Sequence, residues 1–185
     1  MTLSIRGQLA AAAVEGFLVQ VVRLHPFSEP LTGFPLAAGR KLLLIHNLNT
    51  DLLLPDGFTV VRVTDVVKVR STEWDRFAER VLADEGRLLD PAAVPSVRLG
   101  SWAQLLADLH ARAERVSVEC EPQEDGYFLG AIRGLRRDEV EIRPIDAAGR
   151  WEDEQWWIRY RDVTQVRFGT RYIEVFSRYA GELPS

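Results

Sequence analysis

In the first part of the chain, the spacing of hydrophobic and polar residues is typical of a helix, then of strands, and then of a helix again. An alanine-rich stretch from Ser4 to Val14 begins with a Ser cap and ends before Gly16, which predicts a short helix. Runs rich in β-branched and aromatic residues follow as far as Arg70, and their length is typical of strands. After Ser71-Thr72, apolar residues from Trp74 to Leu82 recur every three or four positions, which predicts an amphipathic helix.

Two segments of the first half carry turn signals. Residues 26–39 contain three prolines and two glycines, so we expect a long irregular loop there. Asp56-Gly57 predicts a tight turn into an extended segment over Thr59–Arg70. The apolar run from Lys41 to Leu48 has the length of a strand.

The second half shows a similar order of elements. Ser101 begins a second predicted helix, and an alternating run then leads through Cys120. Four strands and a final helix follow, predicted over Tyr127–Leu135, Glu139–Ile145, Gln155–Tyr160, Val163–Phe168 and from Tyr172 to Tyr179.

The chain contains an internal repeat. Val61–Arg70 and Ile158–Arg167 share five identities over ten ungapped positions. Such self-similarity predicts two copies of one supersecondary unit. Gly126-Tyr127-Phe128 resembles Gly16-Phe17-Leu18, so we expect these segments to open the two copies.

The predicted fold class is α+β, mainly β, with two tandem small bent β-sheets or barrels. The predicted boundaries are 1–71 for the first β unit, 72–115 for a two-helix linker, and 116–185 for the second β unit with its C-terminal helix. One copy alone would bury little apolar surface, so packing of two copies is expected to help stability.

Composition narrows the class of partner. The net charge is −4 and no basic half is present, which makes a nucleic acid the less favoured partner. Cys120 is the single cysteine and indicates a reducing cytoplasm. No apolar run spans a bilayer, so no membrane partner is expected, and the N-terminal apolar stretch is too short for a secretion signal.

No catalytic motif is present in the sequence. The phosphate loop, the dinucleotide fingerprint and the nucleophile elbow are all missing. The histidines His25, His46 and His110 have no ligand spacing, and no catalytic residue, metal or cofactor is predicted. Asp65 and Asp162 hold the same place in the repeat, and we expect both to fix a turn.

Trp157, Arg159 and Arg161 are the candidate binding residues. Strand alternation places these three side chains on one face, and Trp156, Ile158 and Tyr160 on the face towards the core. An aromatic ring between guanidinium groups can stack on a base or clasp a carboxylate. The alternative is that arginine stems merely cover Trp157 on an outer sheet face.

The assembled segments resemble a family of bacterial proteins with paired small β-barrel units. The resemblance rests on Gly16-Phe17-Leu18-Val19, Asp56–Val66, Gly126–Gly130 and Ile158–Tyr172. The Gly-aromatic openings and the ending Asp162-Val163-Thr164-Gln165-Val166-Arg167-Phe168-Gly169 are similar to Sm-like and SH3-like barrels. The resemblance implies two SH3/Sm-like barrels joined by the helical linker, and it implies no particular activity.

Three functions remain open at this point. The first is a non-catalytic binding or interaction module that binds a protein partner or self-associates, and it predicts an exposed apolar or aromatic patch. The second is a nucleic-acid-associated, RNA-binding Sm-like protein. The third is a small enzyme of unknown reaction, which would need a histidine beside a carboxylate in a concave pocket.

Overall fold

The structure is a computed structural model that describes residues 3–24, 29–90, 93–120 and 126–184. It has a mixed α+β architecture that is mainly antiparallel strands, with ten strands and four α-helices among the described residues. The chain divides into two compact units, Met1–Ser96 and Val97–Ser185. Each unit is described separately.

The first unit consists of a helix, five strands and a second helix. In chain order these are α1 (Ile5–Glu15), β1 (Val19–Arg23), β2 (Leu31–Ala38), β3 (Leu42–Asn49), β4 (Leu54–Arg62), β5 (Val66–Arg70) and α2 (Glu73–Asp84). A single 3-10 turn, Val63–Asp65, connects β4 to β5. The strands pair antiparallel in the order β5-β1-β2-β3-β4.

The second unit has the same succession of elements. These are α3 (Trp102–Ala111), β6 (Arg115–Glu119), β7 (Tyr127–Leu135), β8 (Glu139–Pro144), β9 (Trp156–Arg159), β10 (Gln165–Phe168) and α4 (Arg171–Ala180). The strand order β10-β6-β7-β8-β9 is the same as in the first unit when the strands are numbered from the start of each unit.

The two sheets also share their hydrogen-bond register. Counterparts lie 97 positions apart in the chain, as Val19 and Val116 do. The same shift relates the pairs Val19–Gly33 and Val116–Gly130, Gln20–Arg70 and Ser117–Arg167, and Leu43–Val61 and Val140–Ile158. Val61–Arg70 and Ile158–Arg167 therefore occupy equivalent places, at the end of the fourth strand, the turn after it and the fifth strand.

The predicted openings of the two copies are wrong. Gly16 ends α1 with φ 71°, and its counterpart in the shared register is Ala113, with φ 54°, at the end of α3. Tyr127 instead begins β7, the second strand of its unit. The segment predicted as a linker contains α2, which belongs to the first unit, and α3, which belongs to the second and is the counterpart of α1.

Two turn predictions in the first unit are also wrong. Residues 31–38 form β2, and its Pro35 lies beyond the stretch that pairs with β1, so the missing N–H removes no bond to that strand. The prediction for residues 26–28 lies outside the described residues. The chain turns at residues 50–53, whereas Gly57 lies within β4 with φ 60°, beside a register shift against β3.

Helices pack on the sheet of the first unit through two apolar clusters. Leu9 and Ala12 of α1 pack with β-strand residues that include Val21 and Leu43. Leu82 of α2 packs in a second cluster with Leu18, Leu48 and Ala78. Burying one such leucine contributes about 1.5–3 kcal/mol, so a few contacts of this kind hold each helix on the strands.

The start of α2 is fixed by hydrogen bonds as well as by packing. Thr72 and Asp75 form a capping box, in which the Asp75 carboxylate accepts from the Thr72 backbone N–H at 2.7 Å. The Gln20 side chain of β1 also donates to this buried carboxylate at 3.2 Å. The cap therefore ties the helix to the first strand.

Candidate functional site: an arginine-lined cleft in the second unit

The second unit contains an open cleft of about 650 Å³ lined by two polar segments, Arg136–Glu139 and Arg159–Arg161. The first segment is the turn between β7 and β8, closed by the Arg136 N–H donating to the Glu139 carbonyl at 2.9 Å. The second begins at Arg159, the last residue of β9, and the Tyr160 N–H donates to the Asp138 carbonyl at 2.9 Å. Pairing of Glu139 with Arg159 between β8 and β9 brings the two segments together.

Positive charge dominates the lining of this cleft. Four guanidinium groups, from Arg136, Arg137, Arg159 and Arg161, face two carboxylates, from Asp138 and Glu139. Guanidinium groups bind carboxylates and phosphates through paired N–H donors, which suits the cleft to an anionic ligand.

The internal ion pairs of the cleft are long. Glu139 lies 3.8 Å from the Arg136 Nη1 and 3.7 Å from the Arg159 Nε, so one carboxylate serves two guanidinium groups. Charge-assisted hydrogen bonds are usually about 2.7–2.9 Å long, and exposed pairs contribute little. An incoming carboxylate can therefore replace Glu139 as the partner of these arginines at little cost.

Tyr160 supports the floor of the cleft. Its phenol donates to the Arg136 carbonyl at 3.1 Å and so braces the β7–β8 turn. Burial raises the pKa of Tyr160, and the neighbouring negative charge of Asp138 raises it further. The phenol therefore remains a neutral hydrogen-bond donor at neutral pH.

The structure brings together two of the three sequence-predicted residues. Arg159 and Arg161 line the cleft, whereas Trp157 is absent from its lining. The Arg136 guanidinium carbon lies 3.6 Å from the centroid of the Trp157 ring, so an arginine covers this ring. The alternative interpretation expected such a cover from the arginines beside Trp157 in the sequence, whereas the covering arginine belongs to the turn between β7 and β8. Ile158 is buried as predicted, but Trp156 is 46% exposed, so its predicted core position is wrong. Tyr160 lines the cleft together with Arg159 and Arg161, so its predicted place on the opposite face is also wrong.

Arg136 and Arg137 are cleft residues that the sequence reasoning missed. They lie in the charged run between two predicted strands, which is the usual composition of a hairpin turn. They reach the cleft only because β8 pairs with β9, and no local sequence pattern predicts this pairing.

Neither of the two described histidines is among the residues that line this cleft. His46 is buried in β3, stacks with Phe58 at 5.2 Å between ring centroids, and has its pKa lowered by burial against an opposing effect of Asp56. His110 is exposed in the last turn of α3, and His25 lies outside the described residues. Across the described ranges, no group of three or more potential ligands could hold a metal ion.

The two repeated aspartates lie at turns. Asp65 ends the 3-10 turn after β4, and its side chain accepts from the Thr64 hydroxyl at 3.2 Å. The Asp162 N–H donates to the Arg159 carbonyl at 3.0 Å, which closes the turn after β9.

Among the residues that the structure covers, no helix has both the length and the hydrophobicity needed to cross a membrane. No protein-family model, curated protein or solved structure matches the chain.

Proposed function

We propose that the protein is a non-catalytic binding module whose second unit takes an acidic segment of a protein partner into the arginine-lined cleft. The observation that carries the proposal is the convergence of four arginines on one open cleft of about 650 Å³. The volume lies within the range of small-ligand pockets, so the cleft suits a few acidic side chains. A second copy of this chain is the alternative protein partner.

The architecture supports a binding role. The order fifth-first-second-third-fourth strand, found in both units, suits two tandem small bent barrels of the SH3/Sm-like kind. Such folds support many binding functions, so the assignment to the cleft depends on its residues and not on the fold. A single buried cysteine, Cys120, supports a cytoplasmic setting.

The fold does not require two of the four arginines of the cleft, whereas Arg137 and Arg159 have arginine counterparts, Arg40 and Arg62, in the first unit. In the shared register, Gly39 is the counterpart of Arg136 and Thr64 is the counterpart of Arg161. The same turns therefore form in the first unit without these two guanidinium groups. This difference supports a ligand-directed role for them in the second unit.

A nucleic acid is the less favoured ligand. The protein has a net charge of −4, whereas binding along a phosphate backbone usually depends on an extended basic surface. The ring of Trp157 already stacks with Arg136, so a base would have to displace that guanidinium group.

The test is binding of a fluorescently labelled oligoglutamate peptide, measured by anisotropy at about 50 mM and about 200 mM salt. Replacing Arg159 and Arg161 together with glutamine should weaken binding about tenfold or more, because charge-assisted hydrogen bonds are lost. The matched control is Arg80→Gln, an exposed arginine of α2 in the first unit.

Equal peptide affinity for the cleft variant and the control would refute the proposal. Tighter binding of single-stranded RNA than of the peptide, abolished by the same two substitutions, would favour the nucleic-acid function instead.

A further inference from the structure

Five aromatic rings are among the eleven residues that line a second, smaller cleft of about 340 Å³ in the second unit. Tyr127 and Phe128 come from β7, Trp156 from β9, and Tyr172 and Phe176 from α4. Tyr127, Trp156 and Tyr172 remain 49%, 46% and 52% exposed, so the rings are not simply part of the core. The centroids of Phe128 and Trp156 lie 5.8 Å apart, and those of Tyr172 and Phe176 lie 4.5 Å apart.

The sheet does not need these large rings. In the shared register, Leu31 is the counterpart of Phe128 and Thr59 is the counterpart of Trp156. Thr59 is fully buried, so a small side chain fills that position in the first unit. Because the fold does not require large rings at these positions, the half-exposed aromatic rings of the second unit favour a ligand-binding role.

The charged groups of the cleft are acidic. Asp146 is already engaged, because its carboxylate accepts from the Arg150 Nη2 at 2.8 Å and from the Ala148 N–H at 2.8 Å. Glu152 is the other carboxylate of the lining. Its place beside the rings is fixed by its backbone N–H, which donates to the Pro144 carbonyl at 3.0 Å.

We propose that this aromatic cleft binds the quaternary ammonium group of a small molecule of about the size of choline. The faces of aromatic rings attract cations, and the Glu152 carboxylate adds an opposite charge. A quaternary ammonium group has no N–H donors, so it loses no hydrogen bond when carbon atoms surround it. A guanidinium or primary ammonium group gives up hydrogen bonds to water when it leaves solvent, and the faces of aromatic rings do not replace them.

The size and charge of the cleft set this ligand apart from the acidic segment proposed above. A volume of about 340 Å³ lies at the lower end for small-molecule sites, which favours a compact free ligand. The lining residues differ from those of the arginine-lined cleft, so the two proposals stand or fall separately.

The test compares choline with its neutral isostere 3,3-dimethylbutan-1-ol by titration calorimetry on the full-length protein. Choline should bind about tenfold or more tightly than the isostere, because only the cation is attracted by the ring faces. Equal affinity of the two compounds would show a merely apolar cleft and overturn the proposal.

Variants locate the site. Trp156→Leu should weaken choline binding about tenfold or more, whereas Trp156→Phe keeps an aromatic face and should lose no more than about threefold. Trp74→Leu is the matched control, since Trp74 is a 39% exposed tryptophan of α2 in the first unit. Unchanged binding by Trp156→Leu, confirmed as folded by circular dichroism, would overturn the proposal.

Two further ligands test the source of the group. Weaker binding of phosphatidylcholine vesicles and of a trimethyl-lysine peptide than of free choline would support the small-molecule assignment. Tighter binding of either one would overturn it in favour of a lipid headgroup or a protein partner.

Discussion

Exchanging glycine and alanine at the two equivalent helix ends should have opposite effects on stability. Gly16 and Ala113 both have a positive φ, at 71° and 54°. The bonds around them match, because the Phe17 N–H donates to the Ala12 carbonyl at 3.0 Å and the Glu114 N–H to the Leu109 carbonyl at 3.0 Å. Ala113→Gly should therefore stabilise the protein, and Gly16→Ala should destabilise it.

The magnitude follows from two opposing contributions. A left-handed conformation costs an alanine about 1–2 kcal/mol, which glycine does not incur. Glycine adds freedom to the unfolded chain, which offsets about 0.4–1 kcal/mol of that gain. A Cβ on Gly16 would meet no atom within 4 Å, so packing adds nothing to the comparison at that site. We expect a change of about 0.5–1 kcal/mol, with opposite sign at the two positions.

The free energy of unfolding is measured by urea denaturation, followed by far-UV circular dichroism. The control is Ala10→Gly, an exposed position inside α1, which should lose about 0.5–1 kcal/mol because glycine weakens a helix interior. A loss of stability in Ala113→Gly, like that of the control, would refute the shared helix-end geometry.

Three further predictions concern single sites. Burial lowers the pKa of His46, so the unfolded chain binds more protons than the folded protein below pH 6.5. The free energy of unfolding should therefore fall as the pH is lowered from about 8 to about 5. In urea titrations, His46→Phe should make this pH dependence weaker. Hydrogen bonds from Arg98 lower the pKa of Asp108, so the Asp108 carboxylate should stabilise the wild type above pH 3.8 and cease to do so as the pH falls further. In thermal unfolding, Asp108→Asn should therefore be less stable than the wild type at neutral pH, and this difference should disappear at low pH. Gly130→Ala should cost about 2 kcal/mol or more in the free energy of unfolding, because a Cβ there would overlap the Arg143 carbonyl oxygen.

The helices were predictable from sequence because their signals are local. The cap at Ser4 accepts from the Gly7 N–H, and the cap at Ser101 accepts from the Gln104 N–H, as expected for serine before an apolar period. The same two serines are 97 positions apart, and so are the matching segments after the fourth strand. Extending that shift along the chain would have placed α3 as the counterpart of α1.

The second strand was not predictable from composition. Its Gly33 and Pro35 are loop residues by frequency, but Gly33 is needed because its Cα faces the His46 carbonyl of β3 too closely for a Cβ. This requirement arises only when β2 and β3 pair. The similar sequences at Gly16 and Gly126 led to the wrong prediction that these segments open the two copies. A glycine followed by an aromatic residue can end a helix, as at Gly16, or precede a strand, as at Gly126.

The candidate site was predictable in part. Arg159 and Arg161 both line the cleft, but strand alternation is not the reason, because β9 ends at Arg159 and Arg161 lies in the following turn. Tyr160, which alternation places on the opposite face, lines the same cleft. The alternation rule fails for Trp156, because β9 is the last strand in the strand order. On that side, Trp156 lines an open cleft with rings from α4 and is not buried in a core. The contribution of Arg136 comes from strand pairing, which is a tertiary property.

The central claim, that the arginine-lined cleft is the binding site, is tested most directly by NMR on protein labelled with ¹⁵N at arginine. Addition of the oligoglutamate peptide should shift the Nε–H resonances of Arg136, Arg159 and Arg161 and leave that of Arg80 unchanged. Shifts confined to arginines outside the cleft, with these three unmoved at saturating peptide, would contradict it.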